Sequence, residues 1–317
     1  MVQNGLLCRT IHGSLGNTKD LFIERNIAMP LCRFRTLESD LPRLGLIAGD
    51  EVHDLASLGG PATLREALSG TVAALKAQIE QANAAAGKGL ALADVTILAP
   101  IDRQEVWAAG VTYLRSRDAR MEESREKTVY DRVYDAERPE IFFKANAARV
   151  VDPGDAVAVR SDSTWDVPEP ELVLVLTSAG EIAGYSVGND VSSRSVEGEN
   201  PLYLPQAKVY RRCAAVGPVI ALVWELDAPR DKNVRLVISR GGGVIFEGET
   251  STNQLHRTFE DLIAYLFRDN DFPDGVLLMT GTGIIPPSEF NLQDGDVVAI
   301  SIEGIGTLVN PVVRLSS

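Results

Sequence analysis

The sequence predicts an α+β protein, mainly β, in which a small amino-terminal α/β domain precedes a larger strand-rich one. Two patterns carry that expectation. Before residue 100, an alternating run and a hairpin lead into one amphipathic helix. After Val106, short apolar runs recur between turn residues, and a single clear helix interrupts them. The expected organisation is an N-terminal extension over 1–28, a small domain over 29–100 and a large domain over 101–317.

Residues 1–28 have neither helical nor strand periodicity. They read, in descending order, as a misassigned translation start, a mobile extension or a partner-binding arm. Met29 to Phe34 begins the alternation, and the run from Leu44 to Leu55 brackets a Gly49-Asp50 turn, the pattern of a β-hairpin. Thr63 with Glu66 forms a capping box, and Leu64, Leu68, Val72, Leu75 and Ile79 recur on one face, so a helix is expected over about 63–82. An Ala- and Gly-containing connection runs to Pro100.

Strands are expected over 141–143, 156–160, 172–176, 234–239 and 297–302. The second helix, with Ser251 and Gln254 as its cap signal, buries Leu255, Phe259, Leu262, Ile263, Leu266 and Phe267. Gly241-Gly242-Gly243 joins two strands and precedes no helix, so it reads as a hairpin turn rather than a phosphate loop. The charged segment from Arg115 to Arg138 reads as a solvated amphipathic helix, with a lid as the alternative.

Composition narrows the function classes. A chain of 317 residues with 45% hydrophobic and 24% charged residues is ordinary for a globular protein. Its net charge of -13, with no basic run, repels nucleic-acid phosphates. The longest apolar stretch, Ala214 to Trp224, contains a Gly and a Pro and is too short to cross a bilayer, so no membrane partner is expected. Cys8, Cys32 and Cys213 are odd in number and have no paired spacing, which argues against a disulfide framework and a zinc knuckle. With an amino terminus that lacks a targeting pattern, the expected setting is cytoplasmic.

The chemistry concentrates in Val167-Pro168-Glu169-Pro170-Glu171 and the apolar run after it. Two carboxylates two residues apart share one face at the mouth of a strand, and the prolines place them where the strand begins. At roughly 4 Å and an effective dielectric of about 20, two ionised carboxylates repel by ~4 kcal/mol, a penalty that a cation removes. An isolated pair of this kind is more often an exposed strand edge with its acids splayed in water. Asp190 changes that balance: it follows a second strand, 182–187, that returns across a Gly180 turn, so three acids can meet at adjacent strand ends. Oxygen-only ligands select a hard ion, magnesium first, with manganese or calcium as alternatives. His12, His53 and His256 fall in the prefix, a hairpin and a helix, away from that cluster.

These residues, with Gly184 to Arg194, Lys208, Gly217-Pro218, Thr280-Gly281-Thr282-Gly283 and Gly304 to Leu308 in the same order, resemble the fumarylacetoacetate hydrolase superfamily from about residue 100 to the carboxyl end. The resemblance implies a catalytic β-roll over 101–317, a divalent ion held by Glu169, Glu171 and Asp190, and a homodimer or homotetramer. Arg138 to Lys144 and Glu197 to Lys208 look like the branch that dehydrates 2-keto-3-deoxy-pentonates to 2,5-dioxopentanoate. Hydrolases of the superfamily carry a His after an Asn-Tyr pair. Here Ser116 stands at that position, which weakens carbon-carbon bond hydrolysis and assigns Ser116 to substrate binding.

The implied activity is a magnesium-dependent hydro-lyase acting on a small 2-keto-3-deoxy sugar acid. The alternative is an acylpyruvate hydrolase or oxaloacetate decarboxylase built on the same site. Glu140 and Lys208 are the expected acid-base pair, with their roles unassigned: nearby carboxylates favour the charged lysine, while a cation and dryness oppose it. Thr282 offers a hydroxyl and neighbouring N–H groups to a substrate carboxylate, although a tight turn alone also explains its glycines.

Overall fold

The computed structural model describes residues 29–123 and 132–316. The prefix 1–28 and the central part of the charged segment, on which the lid alternative falls, lie outside the described residues.

The centre of the fold is the strand Pro170–Leu176, all of whose residues are buried. Its Leu-Val-Leu-Val-Leu run has no polar face because both of its faces are covered. Leu172, Leu174 and Leu176 point into one core, while Val173 and Val175 point into another. On one side this strand pairs antiparallel with Ile182–Asp190, and on the other with Val276–Met279. Ile182–Asp190 pairs in turn with Ala214–Leu222. Beyond Val276–Met279 lie Glu105–Gly110, joined in parallel, and then Glu140–Asn146.

Ala214–Leu222 also receives Leu31–Thr36, so the amino-terminal hairpin Ser39–Ala48 and Glu51–Asp54 extends the same twelve-stranded sheet. A second sheet of five strands orders Gly243–Ser251, Asn233–Arg240, Val297–Ile302, Gly306–Arg314 and Val157–Val159. It packs across the first core, where Leu236, Ile238, Val298, Ile300 and Leu308 meet Leu172 and Leu174. The result is strand-rich with few helices, the α+β class that the patterns predict.

The expected strands are present, and Arg240 faces Gly243 across a two-residue turn in which Gly241 and Gly242 hold φ of 58° and 83°. Two helix expectations are corrected. The helix expected over 63–82 is two helices, Leu64–Leu68 and Val72–Ala84. Gly70 costs about 1 kcal/mol inside a helix, and Thr71 caps the second one by accepting from the Ala74 N–H. The break is held by tertiary bonds: the Ser178 N–H donates to the Leu68 carbonyl, and the Val72 N–H to Glu181.

The second correction concerns Ser251, which caps only a short turn, Thr252–Gln254. The longer helix, Phe259–Leu266, starts later with Thr258 as its cap. Leu255 bridges to Tyr113, and that extended pairing keeps the chain from turning helical sooner.

Leu174 is fully buried at the centre of the first core. Truncating a buried leucine costs about 2–5 kcal/mol through lost burial and the cavity left behind. Leu174→Ala is therefore expected to lower unfolding stability by about that amount, with the denaturation midpoint as the measurement.

Candidate active site

Strand register brings the three acids together. Pro170 faces Asn189 and Glu171 faces Gly188 across the hairpin, and the Asp190 N–H donates to the Glu169 carbonyl at 3.0 Å. Gly188 has no side chain, so Glu171 meets no competitor on that face. One oxygen from each of Glu169, Glu171 and Asp190 falls within 4.8 Å of the others, with all three residues buried.

Among the described residues, three buried cations surround this cluster. Lys208 Nζ donates to Glu169 Oε2 at 2.7 Å, Asp190 Oδ2 at 2.8 Å and Ser192 Oγ at 2.6 Å. The Ser192 hydroxyl spends its own proton on the Asp190 carbonyl, so it accepts from the lysine. All three ammonium protons of Lys208 thus have acceptors, as the charged form requires. Lys144 Nζ pairs with Asp190 Oδ1 at 2.6 Å and donates to the carbonyls of Val191 and Lys208. Arg194 Nη2 lies 3.1 Å from Glu169 Oε1.

Glu171 has a different environment. Its Oε2 accepts from the Gly281 N–H at 2.5 Å. Burial, then the charges of Asp190 and Glu169, push its carboxyl well above the ordinary range, against the smaller pull of Lys208. Asp190 is raised by burial as well, but Lys144 and Lys208 outweigh that and leave it lowered.

The cluster opens into a cleft lined by Gly110, Val111, Ser116, Glu140, Phe142, Glu197, Lys208, Gly281 and Thr282. Glu140 and Phe142 alternate along one strand and share a face, and Lys144 follows at an irregularity in its pairing with Glu105–Gly110. Gly110 is opposite Glu140 in register, and a Cβ there would run into the Glu140 carboxylate. Val111 holds φ of 52°, a left-handed conformation costing a β-branched residue about 1–3 kcal/mol. Gly281 also needs its positive φ of 94°, and a side chain at that position would strike Thr112. Ser116 enters from the helix Leu114–Glu123.

Every expected site residue lies in or against this one cleft: Glu140, Glu169, Glu171, Asp190, Lys208, Ser116 and Thr282. The Thr282 hydroxyl is already engaged with the Ile284 main chain at 3.3 Å, as a turn-forming threonine is. Lys144, Arg194 and Glu197 were missed as site residues. Their signals were spacing: Lys144 is four residues after Glu140 on a strand, and Glu197 follows Arg194 by one helical turn. His256 stacks on Tyr134 and His53 lies in the hairpin, both outside the cluster.

The donors fit a hard dication. Oxygen-only ligands suit magnesium. Were all ionised, the five carboxylates Glu140, Glu169, Glu171, Asp190 and Glu197 would exceed the cations Lys144, Lys208 and Arg194 by two charges.

Residues 105–313 match the family described as fumarylacetoacetate (FAA) hydrolase C-terminal. The chain belongs to the fumarylacetoacetate hydrolase family. It is 54% identical over 213 residues to a probable 2-keto-3-deoxyxylonate dehydratase of Haloferax volcanii, covering 67% of this chain and 73% of that protein. It is 50% identical over 229 residues to the 2-dehydro-3-deoxy-D-arabinonate dehydratase of Saccharolobus solfataricus, covering 71% and 77%. A solved 2-keto-3-deoxy-D-arabinonate dehydratase, complexed with magnesium and 2,5-dioxopentanoate, superposes with a TM-score of 0.76 at 38% identity, covering 91% of this chain and 100% of that one.

Two outcomes follow from these electrostatics. Because folding raises the Glu171 carboxyl, its ionisation opposes folding. The metal-free protein should lose stability as pH climbs from about 4.3, the unfolded value, through the raised folded one. Magnesium at a hundred times its dissociation constant would restore about 2.7 kcal/mol, or about 5 °C in Tm. Glu171→Gln should remove the Glu171 part of the pH-dependent loss and most of the magnesium-induced shift, as read by thermal unfolding with and without the ion. Lys144→Met leaves Asp190 buried beside one cation fewer and should cost about 3–5 kcal/mol of stability, measured by chemical denaturation.

Proposed function

We propose that this chain is a magnesium-dependent hydro-lyase that removes water from a 2-keto-3-deoxy-pentonate to give 2,5-dioxopentanoate. The observation that carries the reading is the convergence, in one cleft, of a buried oxygen-only acid cluster with a lysine and a further carboxylate. The dehydratase relatives support the substrate class.

Glu169, Glu171 and Asp190 would hold the ion. A bound magnesium ion supplies a Lewis acid that stabilises negative charge on the substrate keto oxygen. Lys208, donating to three acceptors as an ammonium, has no lone pair with which to act as a base, so removal of the C3 proton falls to the Glu140 carboxylate. The departing C4 hydroxyl takes a proton from the Lys208 ammonium and leaves as water, and proton return from Glu140 to Lys208 resets the pair. Phe142, whose ring centroid lies 5.5 Å from Lys208 Nζ, shields that end of the cleft from water. Arg194 and Lys144 fix the carboxylates from behind. Ser116, buried beside the cleft, supplies a hydroxyl to bind substrate.

The enzyme is read as cytoplasmic, in keeping with the free buried thiols of Cys32 and Cys213; among the described residues no helix is long and apolar enough to cross a membrane. It is also read as a homo-oligomer. Gly243–Ser251 ends the smaller sheet with Val244 61% exposed, an edge that a second copy can cover.

The test is incubation with both C4 epimers of the 2-keto-3-deoxy-pentonate, oxaloacetate and an acylpyruvate, with magnesium or with chelator. Semialdehyde should form from a pentonate, stop with chelator and return with magnesium. Glu140→Gln should lower kcat by about 10²–10⁴-fold while keeping the magnesium-induced Tm shift. Turnover of oxaloacetate or acylpyruvate without any pentonate dehydration sinks the reading.

A further inference from the structure

Loss of water across C3 and C4 does not complete the proposed reaction. Elimination leaves a conjugated 2-oxo-3-ene that still carries an alcohol at C5, whereas 2,5-dioxopentanoate has an aldehyde there. The two are isomers, so no oxidant is required. The remaining step breaks a C5–H bond, and something must receive that proton.

Glu197 is a carboxylate that the first half of the reaction leaves unused. It is 3% exposed and lines the same cleft as Glu140 and Lys208, yet it does not belong to the three-acid cluster. It sits in the helix Arg194–Glu199, one turn after Arg194. Arg194 pairs with Glu169 at the metal end of the cleft, and the same short helix carries Glu197 to the cleft wall. If the acid cluster grips the keto-acid head and Glu140 serves C3, the carboxylate outside both is placed for the far end of a five-carbon chain.

We propose that Glu197 is the catalytic base of a second half-reaction at C5, a step resting on the dehydratase reading above. The C5–H proton passes to the Glu197 carboxylate and its electron pair forms a C4–C5 double bond. The C3–C4 pair shifts to C2–C3 and the charge moves to the keto oxygen. Protons then return to C4 and C3 while the C5 oxygen releases its own, which restores the ketone and leaves the aldehyde. Two protons leave and two are regained; C5 is oxidised as C3 and C4 are reduced.

The experiment uses the magnesium-loaded enzyme and substrate carrying two deuterons at C5. In water, the wild type should release one C5 deuteron to solvent. Its full retention at C4, the mark of an internal hydride shift, overturns the proposal without any variant. Glu197→Gln should still exchange the C3 proton and accumulate the conjugated enone, seen by ultraviolet absorbance and NMR, while semialdehyde formation falls at least tenfold. Glu197→Asp should recover part of that rate. If Glu197→Gln forms semialdehyde at the wild-type rate, or loses C3 exchange and semialdehyde in equal measure, Glu197 has no separate role at C5. Should the wild type dehydrate no pentonate, the reading beneath the proposal fails instead.

Discussion

The structure turns on placing three carboxylates side by side where each is almost wholly buried. Burying even one such charge is prohibitive unless it is paired. Here the compensation is uneven: Lys208 bridges Glu169 and Asp190, Lys144 takes the other Asp190 oxygen, and Arg194 takes the other Glu169 oxygen. Among the described residues Glu171 receives one backbone N–H and a weaker pull from Lys208, and its raised carboxyl records the shortfall. The three acids are thus already positioned as candidate ligands, and the positive charge they lack is lacking most at Glu171. A dication entering there meets ligands that need little reorganisation, which favours tight and specific binding.

The fold enforces this arrangement through register. A slip of one residue between Pro170–Leu176 and Ile182–Asp190 would turn Glu171 toward the opposite core and leave it with neither partner nor ligand role. Both faces of the hairpin are packed, so such a slip would also misplace leucines and valines in two cores at once. The surrounding backbone makes concessions to the site. Glycines stand at 110 and 281 where side chains would collide with Glu140 and Thr112, and Val111 is held in a conformation that it would not choose. Apolar packing across two sheets supplies the stability against which that local strain is set.

Much of this is legible in the sequence. The acid pair at a strand mouth, the third acid after a Gly180 turn, and the flanking continuous apolar run already imply convergence, because period-two geometry leaves few other outcomes. Lys144 was harder to read, since a lysine in an apolar strand is also the ordinary mark of a strand end. Only the partner across the fold, Asp190, reveals why it is buried. Arg194 and Glu197 lie on a short helix whose orientation depends on tertiary packing, so no local pattern aims them. The break at Gly70 was masked by an apolar face that continues unbroken through it, and the late start of the Phe259 helix reflects a bridge between Tyr113 and Leu255 far apart in sequence. Local periodicity reports which face is apolar; it does not report which long-range bonds compete for the backbone.

The distribution of cations bears on the kind of chemistry the cleft can run. Splitting a carbon-carbon bond with water needs a base to activate the water, the role that a histidine takes in the hydrolases this chain resembles. Among the described residues no histidine lines the cleft, and Lys208 is held as a triple donor. Elimination asks for less: a carboxylate to accept a proton, an ammonium to return one, and an electrophile to hold the charge between them. In the proposed reaction Glu140 and Lys208 would be that pair, with Glu169 and Asp190 holding the lysine ammonium in place. The carboxylates proposed to grip the ion therefore also hold the ammonium, so the same charges position both the proposed electrophile and the proposed acid.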